Sequence, residues 1–306
     1  MINLFHIPNY KVSTENYSHL LHGSIVKDFE EAFCDYVGAK YGVAVNSATN
    51  AIFLSLLNKD VTCKIPTVIP PVVGNAILTS GNKIEFIDDV SWIGHSYTLH
   101  DFGDYKIIDS AQRVERNQFT EANDNDLMIF SFYPTKPVGS CDGGIIVSND
   151  KEKIERLRTL AYNGMTTEKS NWDRKLIGPG YKFYMNSIQA DIALRNLNVL
   201  DSKNSRLAEI REEYNQHFDL QNTSSHLYQV EVENNQIAMN DLKKKGISCG
   251  IHYSCLHKEE IYSNFFWNSN SFVAKSLEHE KHSLSIPFHE KLTSNDIHKI
   301  IENIQK

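Results

Sequence analysis

The chain alternates between segments with an apolar rhythm of 3.6 residues and short runs that are apolar throughout. Ile25, Phe29, Ala32, Phe33 and Tyr36 recur at helical spacing, which predicts a helix buried along one face and ending near Gly38. The run 41–45 predicts a strand. After it, Asn46-Ser47-Ala48-Thr49 forms a turn that opens a second helix with Ile52, Phe53, Leu56 and Leu57 on its buried side. Further apolar runs at 61–65, 84–87, 105–108, 127–132 and 144–147 are bounded by polar or glycine-rich turns. Strands without in-out alternation are covered on both faces, so these predict an α/β fold around a mainly parallel, mixed sheet. Between Asp89 and Tyr105 there is little room for a strand, a crossover helix and a return.

Residues 150–160 follow as a helix with a charged outer side, then a looser stretch carrying Gly164, Trp172, Gly178, Pro179 and Gly180. Residues 187–200 and 202–218 have the composition of helices. Beyond His226 the texture changes to strands at 227–232, 247–253 and 283–286, with helices at 239–245 and 295–304. The expected organisation is a large domain over residues 1–200, shortened between 89 and 105. A linking helix and a smaller α+β domain then occupy 201–306.

A chain of 306 residues can bury a large core. Its 31 basic and 38 acidic residues leave a net charge of -7, which gives no general attraction to nucleic acid or an anionic membrane. Five widely spaced cysteines form neither a disulfide framework nor a metal motif and fit a reducing cytoplasm. The opening MINLFHIPNY lacks the pattern of an export signal, and no stretch approaches membrane-spanning length. His252, His257, His282 and His289 do not have zinc-motif spacing, so no metal is expected.

Candidate chemistry centres on YKIIDSAQRV and LMIFSFYPTKPVGSCDGGIIVSN. Asp109 directly follows an apolar strand, where parallel sheets place ligand-facing residues, although a turn cap or salt bridge explains it equally well. Lys136 stands in a polar loop, where lysine is ordinarily solvent-facing. Ser47 and Thr49 are ordinary helix-capping residue types. Two sheet exits, at Asp109 and Ser131, can bring an acid and an amine into one cleft.

Taken in order, Asp109-Ser110-Ala111-Gln112, Ser131-Phe132, Lys136 and Cys141-Asp142-Gly143-Gly144 resemble the core signature of the DegT/DnrJ/EryC1/StrS sugar aminotransferases. The resemblance begins at Phe29-Glu30 and the 41–49 segment. It continues through Asn186, Ile188, Gln189 and Ala190 to Gly246-Ile247, His252-Tyr253 and residues 284–289. It implies the aspartate-aminotransferase type fold (fold type I) and pyridoxal 5'-phosphate as cofactor. It also implies a homodimer with shared active sites, and amino transfer from glutamate to a nucleotide-linked keto sugar.

Carried onto these positions, the resemblance makes Lys136 the Schiff-base lysine and proton carrier, and Asp109 the partner of the pyridine nitrogen. Gln112 would meet the ring hydroxyl or support the ring's surroundings. Ala48, Thr49 and Ser131 would hold the phosphate, the first two by helix N-terminal amides. Lys182 stands where relatives carry an asparagine that reaches the partner subunit's cofactor, and Tyr184 where they carry arginine.

Three departures stand out. Ile69 and Pro70 fall where a ring-stacking aromatic is expected, leaving Trp92 or Tyr97 as substitutes. The stretch before Asp109 is compressed, and Cys141-Asp142 replaces Gly-Glu. These keep open another cofactor-dependent sugar modification or a catalytically impaired homologue.

Overall fold

The computed structural model describes residues 1–166, 173–263 and 273–304, so Trp172 lies outside the described residues. The first helix, α1 (Ser24–Val37), buries Val26, Phe29, Phe33 and Val37 and stops at Gly38, whose φ of 79° provides the left-handed cap. Then follow β1 (Tyr41–Val45), α2 (Ala48–Leu56), β2 (Thr62–Pro66), α3 (Pro71–Thr79) and β3 (Lys83–Ile87). The chain continues through β4 (Tyr97–Asp101), β5 (Lys106–Asp109), β6 (Leu127–Ser131) and β7 (Gly144–Ser148) to α4 (Lys151–Ala161). The remaining elements are α5 (Ser187–Asn198), α6 (Leu200–Phe218), β8 (Tyr228–Glu231), α7 (Asn235–Lys244), α8 (Glu260–Ser263), α9 (Ala274–His282), β9 (Ser283–Ile286) and α10 (Ser294–Asn303).

The central sheet has the order β1-β7-β6-β5-β4. Only β5 and β6 run parallel; the other three pairings are antiparallel, which corrects the expectation of a mainly parallel sheet. The compressed stretch supplies the reason at one edge. Strands β4 and β5 form a hairpin, closed where Phe102 N donates to Tyr105 O at 2.9 Å and Gly103 takes a φ of 89°. A hairpin needs no crossover helix, so a strand fits where a full βαβ unit does not. The other parallel pair, β2 and β3 with α3 between them, forms its own two-stranded sheet. Helix α3 starts at Pro71 in its first position, a placement that suits proline's missing N–H.

The strand expected at 247–253 is not continuous. Ile247 bridges to Ile2 and Gly250 to Ser285, so this segment borrows two different partners instead of forming one ladder. Strands β8 and β9 pair antiparallel, and their Tyr228, Val230, Leu284 and Ile286 pack with Leu207, Ile210 and Tyr214 of α6 and Ile297 and Ile300 of α10.

One ion pair ties three elements of the sheet's other edge together. Glu30 on α1 is buried, accepts Ala44 N at 2.7 Å, and meets Arg158 Nη1 of α4 at 2.9 Å. The same guanidinium donates to Gly42 O at 2.5 Å. Helix α1, strand β1 and helix α4 are thereby locked through two side chains. Removing one partner strands the other charge in the interior. Arg158→Met should lower stability by about 3–5 kcal/mol in chemical denaturation, whereas Glu30→Leu with Arg158→Met should cost markedly less. A double variant as unstable as the single one would contradict this.

Candidate active site

The anion seat is built by one close approach. An ideal Cβ on Gly144 would fall 2.6 Å from Ala48 N and 2.7 Å from Ala48 Cα, so the first residue of β7 lies against the first turn of α2 in a way only glycine allows. Ser131 pairs with Gly144 across β6 and β7, which brings its side chain to the same corner. Ser47 caps α2 by accepting Asn50 N at 3.2 Å. The N–H groups of Ala48 and Thr49 have no partner among the described residues. Two free amides at a helix N-terminus beside a serine hydroxyl are suited to hold an anion. Ala48, Thr49 and Ser131 thus lie at one corner. Gly143, with a φ of 141°, makes the turn into β7.

Asp109 ends β5 next to Ile129 of the parallel β6, two residues before Ser131, so acid and anion seat share the carboxyl edge of these strands. Its carboxylate is buried and takes two donors, Ala111 N on Oδ1 and the Tyr97 hydroxyl on Oδ2, both at 2.9 Å. Burial pushes its pKa up, while those two donors and the charge of Lys136 pull it back.

Lys136 projects from the loop between β6 and β7. Its own N donates to Tyr133 O at 2.8 Å, Ser140 N donates to Phe132 O at 2.8 Å, and Lys203 Nζ of α6 donates to Pro137 O at 3.0 Å. Asn196 Nδ2 of α5 also donates to Gly139 O. The loop is therefore fixed from both helices. The Lys136 amine has no hydrogen-bond or ion-pair partner among the described residues. Desolvation lowers its pKa to about 8, with the Asp109 charge acting in the opposite direction. A largely desolvated, uncommitted amine facing a buried carboxylate differs from the solvent-facing lysine that a polar loop implies.

Gln112 is committed at both ends: Oε1 accepts Gly94 N at 2.6 Å and Nε2 donates to the Tyr253 hydroxyl at 3.0 Å. Support of the surrounding wall fits this better than a direct contact. Ile69 is fully buried in the core and offers no ring. Trp92 is fastened to the same stretch, its Nε1 donating to Val68 O at 3.2 Å. It lies parallel to Tyr253 at 6.1 Å and edge-on to Tyr97 at 5.1 Å. The compressed stretch thus places an aromatic cluster beside Asp109.

A buried histidine, His226, and a half-buried one, His252, complete the surroundings. His226 stacks on Phe5 at 5.6 Å, and His252 Nδ1 lies 2.9 Å from Ser285 Oγ. Burial, and then the charge of Lys136, depress both, His252 to about 4. His226 escaped the sequence analysis because a histidine beginning an apolar strand gives no local signal, and the Tyr97 hydroxyl escaped because hairpin register is needed to pair it with Asp109. His282 and His289 face backbone carbonyls, His257 faces Thr67, and among the described residues no cluster is placed to hold a metal. Lys182 is exposed on a segment that bridges to Tyr162, and among the described residues it joins neither Ser131 nor the α2 amides within the same chain. Tyr184 packs on His22 at 4.3 Å. Cys141 is exposed and unpaired.

This architecture, with a mixed sheet presenting an acid, an amine and an anion seat at one edge, is that of the aspartate-aminotransferase type (fold type I) enzymes. The profile of the DegT/DnrJ/EryC1/StrS aminotransferase family matches residues 9–90 and 118–305, and the chain belongs to this family of pyridoxal-phosphate enzymes. It is 26% identical to the UDP-4-amino-4,6-dideoxy-N-acetyl-beta-L-altrosamine transaminase of Campylobacter jejuni, over 93% of this chain and 92% of that one. Its fold matches the aminotransferase TlmJ of Streptoalloteichus hindustanus with a TM-score of 0.80 at 22% identity, covering 99% and 97% of the two chains. The pyridoxal-phosphate form of the sugar aminotransferase Spr1654 of Streptococcus pneumoniae matches at 0.78 and 19% identity, over 97% and 96%. The residues present fit the cofactor: a free amine for its aldehyde, a buried carboxylate for its ring nitrogen and open helix amides for its phosphate.

Because backbone atoms face Gly144, no flexible side chain there can move aside to admit a methyl group. Gly144→Ala should push α2 away from β7, costing about 1–3 kcal/mol of stability and most of the cofactor affinity. Equilibrium titration with pyridoxal phosphate reads the affinity, and unchanged binding would dissociate the anion seat from this corner.

Proposed function

We propose that the protein transfers an amino group to a keto sugar linked to a nucleotide, with glutamate as donor, acting as a cytoplasmic homodimer. The observation that carries this is an uncommitted, desolvated Lys136 amine under the influence of the buried Asp109 charge, together with the open amides at the start of α2. Lys136 Nζ would hold the cofactor through its aldehyde and would serve as the base and acid at the reacting carbon. Asp109 would face the ring nitrogen and favour its protonated form. Ala48, Thr49 and Ser131 take the phosphate. Pyridoxal phosphate itself supplies the electron sink that makes loss of the substrate proton feasible.

A cleft of about 600 Å³ opens beside the Lys136 loop. Lys136, Arg195, Lys203, Arg206 and Lys291 line it, with Glu290 as the acid among them. This excess of positive charge suits a diphosphate, consistent with the UDP-linked compound named for the Campylobacter relative. Among the described residues no helix is long and apolar enough to cross a membrane.

An amine with a pKa near 8 sets the pH profile of cofactor capture, because only the unprotonated form attacks the aldehyde. Capture by cofactor-free protein should accelerate about tenfold per pH unit below this value and level off above it, followed by visible absorbance. Lys136→Ala should show no such band. Glutamate should bleach the wild-type band and a nucleotide-linked keto sugar should restore it; bleaching that no keto sugar reverses would refute the substrate class.

Lys182 is assigned to the partner subunit's cofactor phosphate. Mixed dimers of Lys182→Ala and Lys136→Ala chains then contain one intact site, while each parent dimer contains none. Recovery of activity on mixing to roughly a quarter of wild type, the statistical yield of one intact site in half of the dimers, would support this; no recovery places Lys182 elsewhere.

A further inference from the structure

The family profile passes from residue 90 to residue 118, so β4 and the hairpin it forms lie in the stretch outside it. Within that stretch, Tyr97 stands opposite Asp109 in the β4–β5 register, and its hydroxyl donates to Asp109 Oδ2 at 2.9 Å. We propose that Tyr97 is a positioning residue that acts through Asp109, keeping the carboxylate ionised so that the shared proton stays on the cofactor's ring nitrogen. The inference rests on the assignment of Asp109 to that nitrogen and adds the group that controls it.

One proton lies between the carboxylate and the ring nitrogen. It can sit on nitrogen, leaving Asp109 anionic, or on the carboxylate, leaving the ring neutral. Only the first arrangement gives the ring its full electron-withdrawing power. Burial favours the neutral pair, because a desolvated carboxylate is costly. Opposing that are two hydrogen bonds to the anion, from Ala111 N to Oδ1 and from the Tyr97 hydroxyl to Oδ2. A carboxylate oxygen can accept more than one hydrogen bond, so Tyr97 need not leave when the ring arrives.

Tyr97 is held for this task. Its ring meets Trp92 edge-on at 5.1 Å, and Trp92 is pinned by its own bond to Val68 O and stacked on Tyr253. Burial and the Asp109 charge push its phenol pKa well above the ordinary value, so it stays protonated and acts as donor throughout the working range. The hairpin that shortens this chain therefore also supplies a neutral donor behind the catalytic acid.

The test uses Tyr97→Phe, which keeps the ring and removes the donor, loaded with pyridoxal phosphate labelled with nitrogen-15 in the ring. In the wild type the nitrogen resonance should lie at the pyridinium position across neutral pH. In the variant it should move toward that of neutral pyridine. In parallel, the variant should bind pyridoxal phosphate about tenfold more weakly, the scale of one hydrogen bond to a charged group. It should bind the analogue with carbon in place of the ring nitrogen within about twofold of wild type, because there the Asp109 contact is absent. Identical resonances in both proteins, or equal losses for both cofactors, would overturn the role of Tyr97 while leaving the site intact. A wild-type resonance at the neutral position would overturn the assignment of Asp109 itself.

Discussion

The site depends on how closely the backbone of β7 can approach the first turn of α2. At Gly144 the distance leaves no space for a side chain, and three consequences follow from that contact. The free amides of Ala48 and Thr49 are brought to the sheet edge, Ser131 is set beside them through its pairing with Gly144, and the Lys136 loop must leave β6 and return to β7 at the same corner. A helix terminus carries its partial positive charge only over its first turn, so an anion seat works only if that turn is delivered to the place where the anion sits. The glycine makes that delivery sterically possible.

The opposite edge of the sheet meets a different constraint. With few residues between β3 and Asp109, the chain turns back as a hairpin, and an antiparallel strand takes the outer position. Asp109 still ends a strand parallel to β6, so the acid keeps its place relative to Ser131. What changes is its neighbourhood. Trp92 and Tyr97 come with the hairpin, and Tyr253 and Gln112 close around them. The shortened sequence therefore retains the geometry of the acid while rebuilding the wall behind it with aromatic rings.

These two edges differ in how legible they are in sequence. Asp109, Ser131, Lys136 and Gly143-Gly144 occur in order at strand ends, and apolar runs mark strand ends well because burial on both faces leaves little choice of residue. Helices α1, α4 and α10 declare themselves by one apolar face. Strand direction was harder: a covered antiparallel strand such as β7, buried at every position, has the same composition as a parallel one. Strand β4 buries only Leu99 fully, too little pattern to mark it, and its existence rests on the hairpin partner. Segment 247–253 misled in the other direction, since its strand-like composition is satisfied by bridges to Ile2 and Ser285, distant in sequence. Gln112 was legible as a site residue but not in its function, which depends on Gly94 and Tyr253 arriving from elsewhere.

The amine of Lys136 raises a last physical question, which is why a desolvated lysine near a buried carboxylate does not simply close into an ion pair. The loop that bears it is tethered by Lys203 and Asn196, which bond to the carbonyls of Pro137 and Gly139. Asp109 is likewise held by donors on both oxygens, so neither group can swing freely to meet the other. The remaining neighbours, His226 and His252, are kept neutral by burial and by the lysine charge, so they bring no competing cation. An amine that is desolvated, attracted only at a distance and refused a contact partner has an acidity close to neutral pH. That is the state in which a lysine can both attack an aldehyde and, later, give and take a proton without a large energetic step in either direction.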